Sequence, residues 1–153
     1  METKELQFKT IQIIYGAFIM GVVAFSFYTL NDISNINILI DTNDVFTLII
    51  PTLSAFSLVL NTFLFKNSLK AINQEDSLQT KMAKYQSAII IRGAVLEAPA
   101  LLGVIATSKS GNYFFMLFSI LMILVMLFYF PSRYKFSNSV YLSFEEKTKL
   151  DTL

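Results

Sequence analysis

Two ionisable side chains stand inside a stretch of the chain that is otherwise apolar. Residues 87–106 read Ser-Ala-Ile-Ile-Ile-Arg-Gly-Ala-Val-Leu-Glu-Ala-Pro-Ala-Leu-Leu-Gly-Val-Ile-Ala, with the arginine at 92 and the glutamate at 97. If this stretch crosses a bilayer as a helix, Glu97 lies about ten residues from either end, near the centre. An ionised group there costs several kcal/mol, and such residues mark ion or substrate paths by default. Arg92 lies about five residues, or roughly 7.5 Å, inside one edge. On its long stem it either snorkels to the headgroups or turns into the protein interior. The two do not form a pair within the helix. Five residues rotate it by about 140°, whereas facing pairs occur at spacings of three and four.

The neighbours of Glu97 are small. Gly93 and Ala100 share its face and Ala94 and Ala98 flank it, a composition that lets membrane helices approach closely. Pro99 removes the backbone bond to Val95 and favours a kink, which either frames a site or serves packing. Candidate partners come from a second apolar stretch, where Thr47, Ser54 and Asn61 recur every seven residues with Ser57 beside them. Asn61 falls at the depth of Arg92, and Ser54 and Ser57 near that of Glu97. The stripe either supports those groups or acts as interhelical glue. A further small face, Ala17, Gly21 and Ala24, reads as helix packing.

Four apolar stretches must position these residues. Of the 153 residues 54% are apolar and 15% charged, against about 25% charged in a soluble domain, so one domain facing lipid is expected. Backbone polar groups must be paired within lipid, which selects helices of about 20 residues. The spans are expected at about 8–30, 45–65, 87–106 and 113–130, giving an all-α integral membrane four-helix bundle over residues 1–130 and a tail over 131–153. The first apolar run is longer than a signal-peptide core and is expected to be retained. Between the first two spans, Ile33, Ile36 and residues 38–40 are expected to rest on the membrane surface.

Orientation follows from Lys and Arg near the span ends. Lys4, Lys9, Lys66, Lys70, Lys81, Lys84, Arg133, Lys135, Lys147 and Lys149 fall on one side and only Lys109 on the other. Both termini and the middle loop are therefore expected in the cytoplasm. Tyr28 and Tyr113 at the outer ends, and Tyr85, Tyr129 and Tyr134 at the inner ends, suit the headgroup layers. In the tail, Ser143 and Glu146 fit a capping box, so a short cytoplasmic helix is expected from Phe144 to about Asp151, as a solvated or interfacial appendage.

The segment Gly93-Ala94-x-x-Glu97-Ala98-x-Ala100-Leu101, preceded by a polar basic loop, resembles the ion-carrying helix of the proteolipid (c-ring) subunits of rotary ATPases. The resemblance covers the second and third spans, roughly 40 residues. It implies for Glu97 alone a proton- or cation-binding carboxyl. The second span has no glycine repeat, so ring assembly is not implied. The whole chain resembles an uncharacterised family of four-span bacterial membrane proteins, which implies the inner membrane.

With no histidine and no cysteine, and with no second carboxyl in the membrane to form a dyad, no catalytic, metal or cofactor site is expected. The expected function is non-enzymatic assembly, as an accessory subunit or homo-oligomer. Its partners are the lipid bilayer, further copies or other membrane proteins, and not nucleic acid. The alternative is proton- or cation-coupled transport centred on Glu97, with Arg92, Asn61, Ser54 and Ser57 as polar support. Gly93, Ala94, Ala100, Ala17 and Gly21 are expected to serve helix packing in either case.

Overall fold

The computed structural model describes the backbone of residues 2–32 and 37–151 and the side chains of residues 8–32 and 37–150. Among the described residues the chain is helical, with α1 (Glu2–Asp32), α2 (Val45–Leu69), α3 (Leu78–Ser110), α4 (Phe114–Phe128), α5 (Arg133–Ser139) and α6 (Phe144–Asp151). The first three helices are each long and apolar enough to cross a membrane.

The fourth stretch differs from expectation. At 15 residues α4 extends about 22 Å, short of the roughly 30 Å hydrocarbon core, and it makes a fourth span only together with α5 across a 76° bend. The bend has a local cause. Pro131 cannot continue the helix, and the Lys135 ammonium donates to the carbonyl oxygens of Phe128 and Phe130, which α4 leaves unpaired at its end. Ser132 then caps α5 by accepting the Lys135 backbone N–H at 3.2 Å. Pro51 and Pro99, by contrast, lie inside unbroken helices.

The helix at the centre is α3. It packs along α1, α2 and α4, whereas α1 and α2 scarcely meet. Two glycines set its closest approaches. A Cβ at Gly93 would stand 2.7 Å from the Phe18 ring of α1, and one at Gly103 would meet the Ser119 Oγ and, at 2.9 Å, the Phe115 carbonyl of α4. The second approach allows Ser119 Oγ to donate to the Ala100 carbonyl at 2.7 Å inside the core. Because Tyr15, Phe65, Tyr85 and Phe130 meet at one end and Phe46 and Phe115 at the other, neighbouring helices alternate in direction.

At the α3–α4 end the connections are tied together. Gly111, at φ 66°, closes α3 in the left-handed region that glycine enters without strain, its N–H reaching the Thr107 carbonyl at 2.8 Å. The next side chain, Asn112, holds the α1–α2 connection by accepting the Leu39 N–H and donating to the Leu39 carbonyl at 2.7 Å. Ile38, Leu39 and Ile40 expose their side chains; Ile33 and Ile36 lie outside the described residues.

At the opposite, basic end the tail is part of the fold rather than an appendage. Phe136 of α5, an element the sequence reading did not separate, stacks edge-on against Tyr85 with centroids 4.9 Å apart. Val140, Leu142 and Leu150 join the main core. The capping box forms as expected: Glu146 accepts the Ser143 N–H at 2.8 Å and Ser143 Oγ accepts the Glu146 N–H at 3.3 Å. The same carboxylate pairs with Lys81 of α3 through both oxygens, at 2.9 and 3.1 Å, and Lys81 is only 1% exposed. A second pair, Lys84 to Asp76 at 2.7 Å, straps the α2–α3 connection. The Lys84 ammonium, and then the Asn73 N–H, hold the Asp76 carboxyl below the ordinary range.

Burial raises the pKa of Glu146, but the Ser143 N–H and the Lys81 ammonium together outweigh it and keep the carboxyl below its ordinary range. A depressed carboxyl contributes stability above the ordinary carboxylate range, and that contribution is lost as pH falls through the folded-state value. Docking of α6 is therefore expected to hold at neutral pH and to weaken as the pH falls below the ordinary carboxylate range. Glu146→Gln should cost about 2 kcal/mol at pH 7 and flatten the pH dependence, read as amide hydrogen exchange over residues 143–151. Equal protection in both proteins from pH 3 to pH 7 would refute the latch. Independently, Gly103→Ala should lower stability by about 1–3 kcal/mol in thermal unfolding, because the Phe115 carbonyl belongs to the α4 backbone and cannot rotate away.

Candidate functional site

Arg92 turns inward. It is 8% exposed, and its guanidinium carbon sits 3.5 Å from the centroid of Phe65 on α2 and 4.2 Å from that of Tyr129 at the end of α4. Two ring faces thus clasp the planar cation, an arrangement worth roughly 2 kcal/mol when water is excluded. The clasp belongs to a larger aromatic group at the basic end of the bundle. Tyr15 of α1 packs edge-on against Phe130, and Tyr85 bridges Phe65 and Phe136. All of α1 to α5 contribute to it. Of the tyrosines expected at the inner headgroup layer, Tyr134 is exposed, whereas Tyr85 is fully buried and Tyr129 half-buried. Tyr129 turns its ring to the Arg92 cation, and Tyr85 packs against Phe65 and Phe136.

Glu97 occupies a different surface. Its side chain is half-buried on α3 and borders α1, where a Cβ added to Gly21 would lie 3.6 Å from Oε1. No hydrogen bond or ion pair engages it among the described residues. The small residues around it divide into two sets. Gly93 and Ala100 are buried in contacts within the chain, Gly93 against Phe18 and Tyr15. Ala17, Gly21 and Ala24 on α1 and Ala94 and Ala98 on α3 are exposed. Because α1 and α2 scarcely meet, the Ala94–Ala98 face of α3 stays uncovered between them, with Glu97 at its α1 margin.

The polar stripe of α2 faces inward as a unit: Ser54, Ser57 and Asn61 are buried. It does not reach Glu97 or Arg92. The Asn61 amide donates to its own helix, to the Ser57 and Leu58 carbonyls at 3.0 and 2.7 Å, and Asn61 Oδ1 and Ser54 Oγ are buried without partners. The stripe supplies small side chains at the α2–α3 contact. Sequence spacing could not say which way α3 presents Glu97.

Among the described residues no three acidic side chains converge as metal ligands would. The arrangement has two chemical capacities. One is a caged cation without an acidic partner. The other is a carboxyl bordered by exposed small residues, able to accept or donate one hydrogen bond to something outside the chain. No family model, curated protein or solved structure matches the chain.

Proposed function

We propose that this chain is a non-enzymatic, multi-span membrane protein whose task is assembly. The face around Glu97, built from Ala17, Gly21 and Ala24 of α1 and Ala94 and Ala98 of α3, receives a transmembrane helix of a second copy or of another membrane protein. The excess of Lys and Arg at the end that carries α5 and α6 supports an inner-membrane orientation with both termini cytoplasmic.

The observation that carries the reading is Glu97 itself, half-buried midway along α3 with no partner among the described residues. In lipid such a group is costly, and a neighbouring helix that brings a hydroxyl, an amide or a cation relieves that cost. The exposed Gly21 and alanines supply the close backbone approach that such a contact needs. A second reading, proton or cation translocation by Glu97, draws on the same carboxyl, because a group without an internal ionic partner is free to exchange a proton.

Gly21→Leu should weaken the association constant of the detergent-purified protein about tenfold, the equivalent of roughly 1.4 kcal/mol, while the unfolding temperature of the monomer is unchanged. Gly93→Leu should instead lower that unfolding temperature, since its side chain would strike the Phe18 ring. Size-exclusion chromatography with light scattering and thermal unfolding separate the two. A monomeric wild-type protein that captures no membrane partner after cross-linking in native membranes would sink the assembly reading. Glu97→Gln keeps a hydrogen-bonding side chain and should preserve assembly. If it abolishes pH-gradient-driven flux in proteoliposomes, the translocation reading stands in its place.

A further inference from the structure

A guanidinium has five N–H donors and keeps its charge at any physiological pH. No hydrogen bond engages Arg92 among the described residues, and its Nε is buried without a partner. Phe65 and Tyr129 cover the two faces of the cation, but ring faces leave the in-plane N–H donors unsatisfied. A buried cation with neither an acid nor a hydrogen bond is rare, because burying charge without compensation is expensive.

A second cation stands beside it. Lys135, on the first turn of α5, directs its ammonium to the Phe128 and Phe130 carbonyls at the end of α4, flanking Tyr129. It has no acidic partner among the described residues. Tyr129, whose ring covers one face of Arg92, stands between the two carbonyls that hold the ammonium, so the two cations are near neighbours. Among the described residues at this end, Glu146 pairs with Lys81, Asp76 with Lys84 and Glu145 with Lys149, and none of these carboxylates pairs with Arg92 or Lys135. Arg92 lies roughly 7.5 Å inside the basic edge of its span, within reach of the phosphate layer for a side chain of its length.

We propose that Arg92 and Lys135 form a binding site for a phosphate group, supplied by an inner-leaflet phospholipid. A phosphodiester matches both needs: its oxygens accept in-plane N–H donors from the guanidinium fork, and its charge offsets two neighbouring cations. The ring faces of Phe65 and Tyr129 hold the fork in one plane, so its ordering is complete before the ligand arrives.

The full chain in neutral detergent, with phosphatidylglycerol, phosphatidylcholine or inorganic phosphate added in turn, tests this by native mass spectrometry and thermal unfolding. Phosphatidylglycerol should leave one retained lipid and raise the unfolding temperature by about 5 °C. Arg92→Met, which keeps an unbranched side chain between the rings, should lose both effects. Lys135→Gln, outside the bundle core, should weaken retention about tenfold and keeps the test available if the Arg92 variant does not fold. An equal, Arg92-dependent response to phosphatidylcholine supports the phosphodiester alone as the recognised group. The same response to inorganic phosphate, without a retained lipid, supports the site with a soluble anion as its source. No shift with any of the three, or a shift that Arg92→Met and Lys135→Gln leave intact, overturns it.

Discussion

One helix holds this bundle together, and it does so because it carries glycine at the two places where its neighbours come closest. Without a water-driven hydrophobic force between helices in lipid, close van der Waals approach decides which surfaces associate. At Gly93 the α1 rings of Phe18 and Tyr15 settle onto the α3 backbone, and at Gly103 the α4 backbone comes near enough for Ser119 to bond the Ala100 carbonyl. The α2 helix reaches the same goal with Ser54 and Ser57, small polar residues turned inward. Three helices thus fit around one, and the fourth side of α3 is left open. The Glu97 face exists because the hub has more perimeter than three helices can cover.

How much of this was legible follows from what each signal encodes. Helix existence rests on apolar length, so α1 to α3 were readable, and so was the Ser143–Glu146 cap, which is local. The sharp end of α4 was not. Pro131 announced a stop, but the 76° bend also depends on Lys135 reaching back to carbonyls that only the folded chain places beside it. The docking of α6 was equally hidden, because Lys81 and Glu146 are 65 residues apart and each looks like an ordinary surface charge. For the candidate site, direction about each helix axis was not readable. Spacing put Ser54 level with Glu97, yet rotation of each helix about its own axis, set by Gly93 and Gly103, sends the two side chains to different surfaces.

Arg92 and Glu97 illustrate two ways in which a protein tolerates charge in an apolar helix. About 140° apart on α3, they face opposite environments. Arg92 is drawn between ring faces at the end of the bundle, where the stacking of a planar cation on Phe65 and Tyr129 compensates part of its lost hydration. Lys could not replace it there, since a compact ammonium needs water that the rings exclude. Glu97 has no comparable device. A carboxyl finds relief only in a donor or a proton, and neither α1 nor α2 offers a donor to it.

These two groups bear on different contacts of the bundle. Arg92 sits where α1 to α5 converge, so whatever satisfies its donors also acts on the packing of Tyr15, Tyr85 and Phe136, and through Tyr85 on α5. Glu97 sits where only α1 and α3 meet, about one and a half turns further along the same helix. A partner helix bound at Glu97 presses on Gly21, and α1 in turn meets α3 at Gly93, next to Arg92. The two surfaces share a single mechanical link, the α1–α3 contact at Phe18 and Gly93. Coupling between them therefore depends on whether that contact has one packing or two, and with a ring already within 2.7 Å of where a Cβ would stand, the space for a second is small.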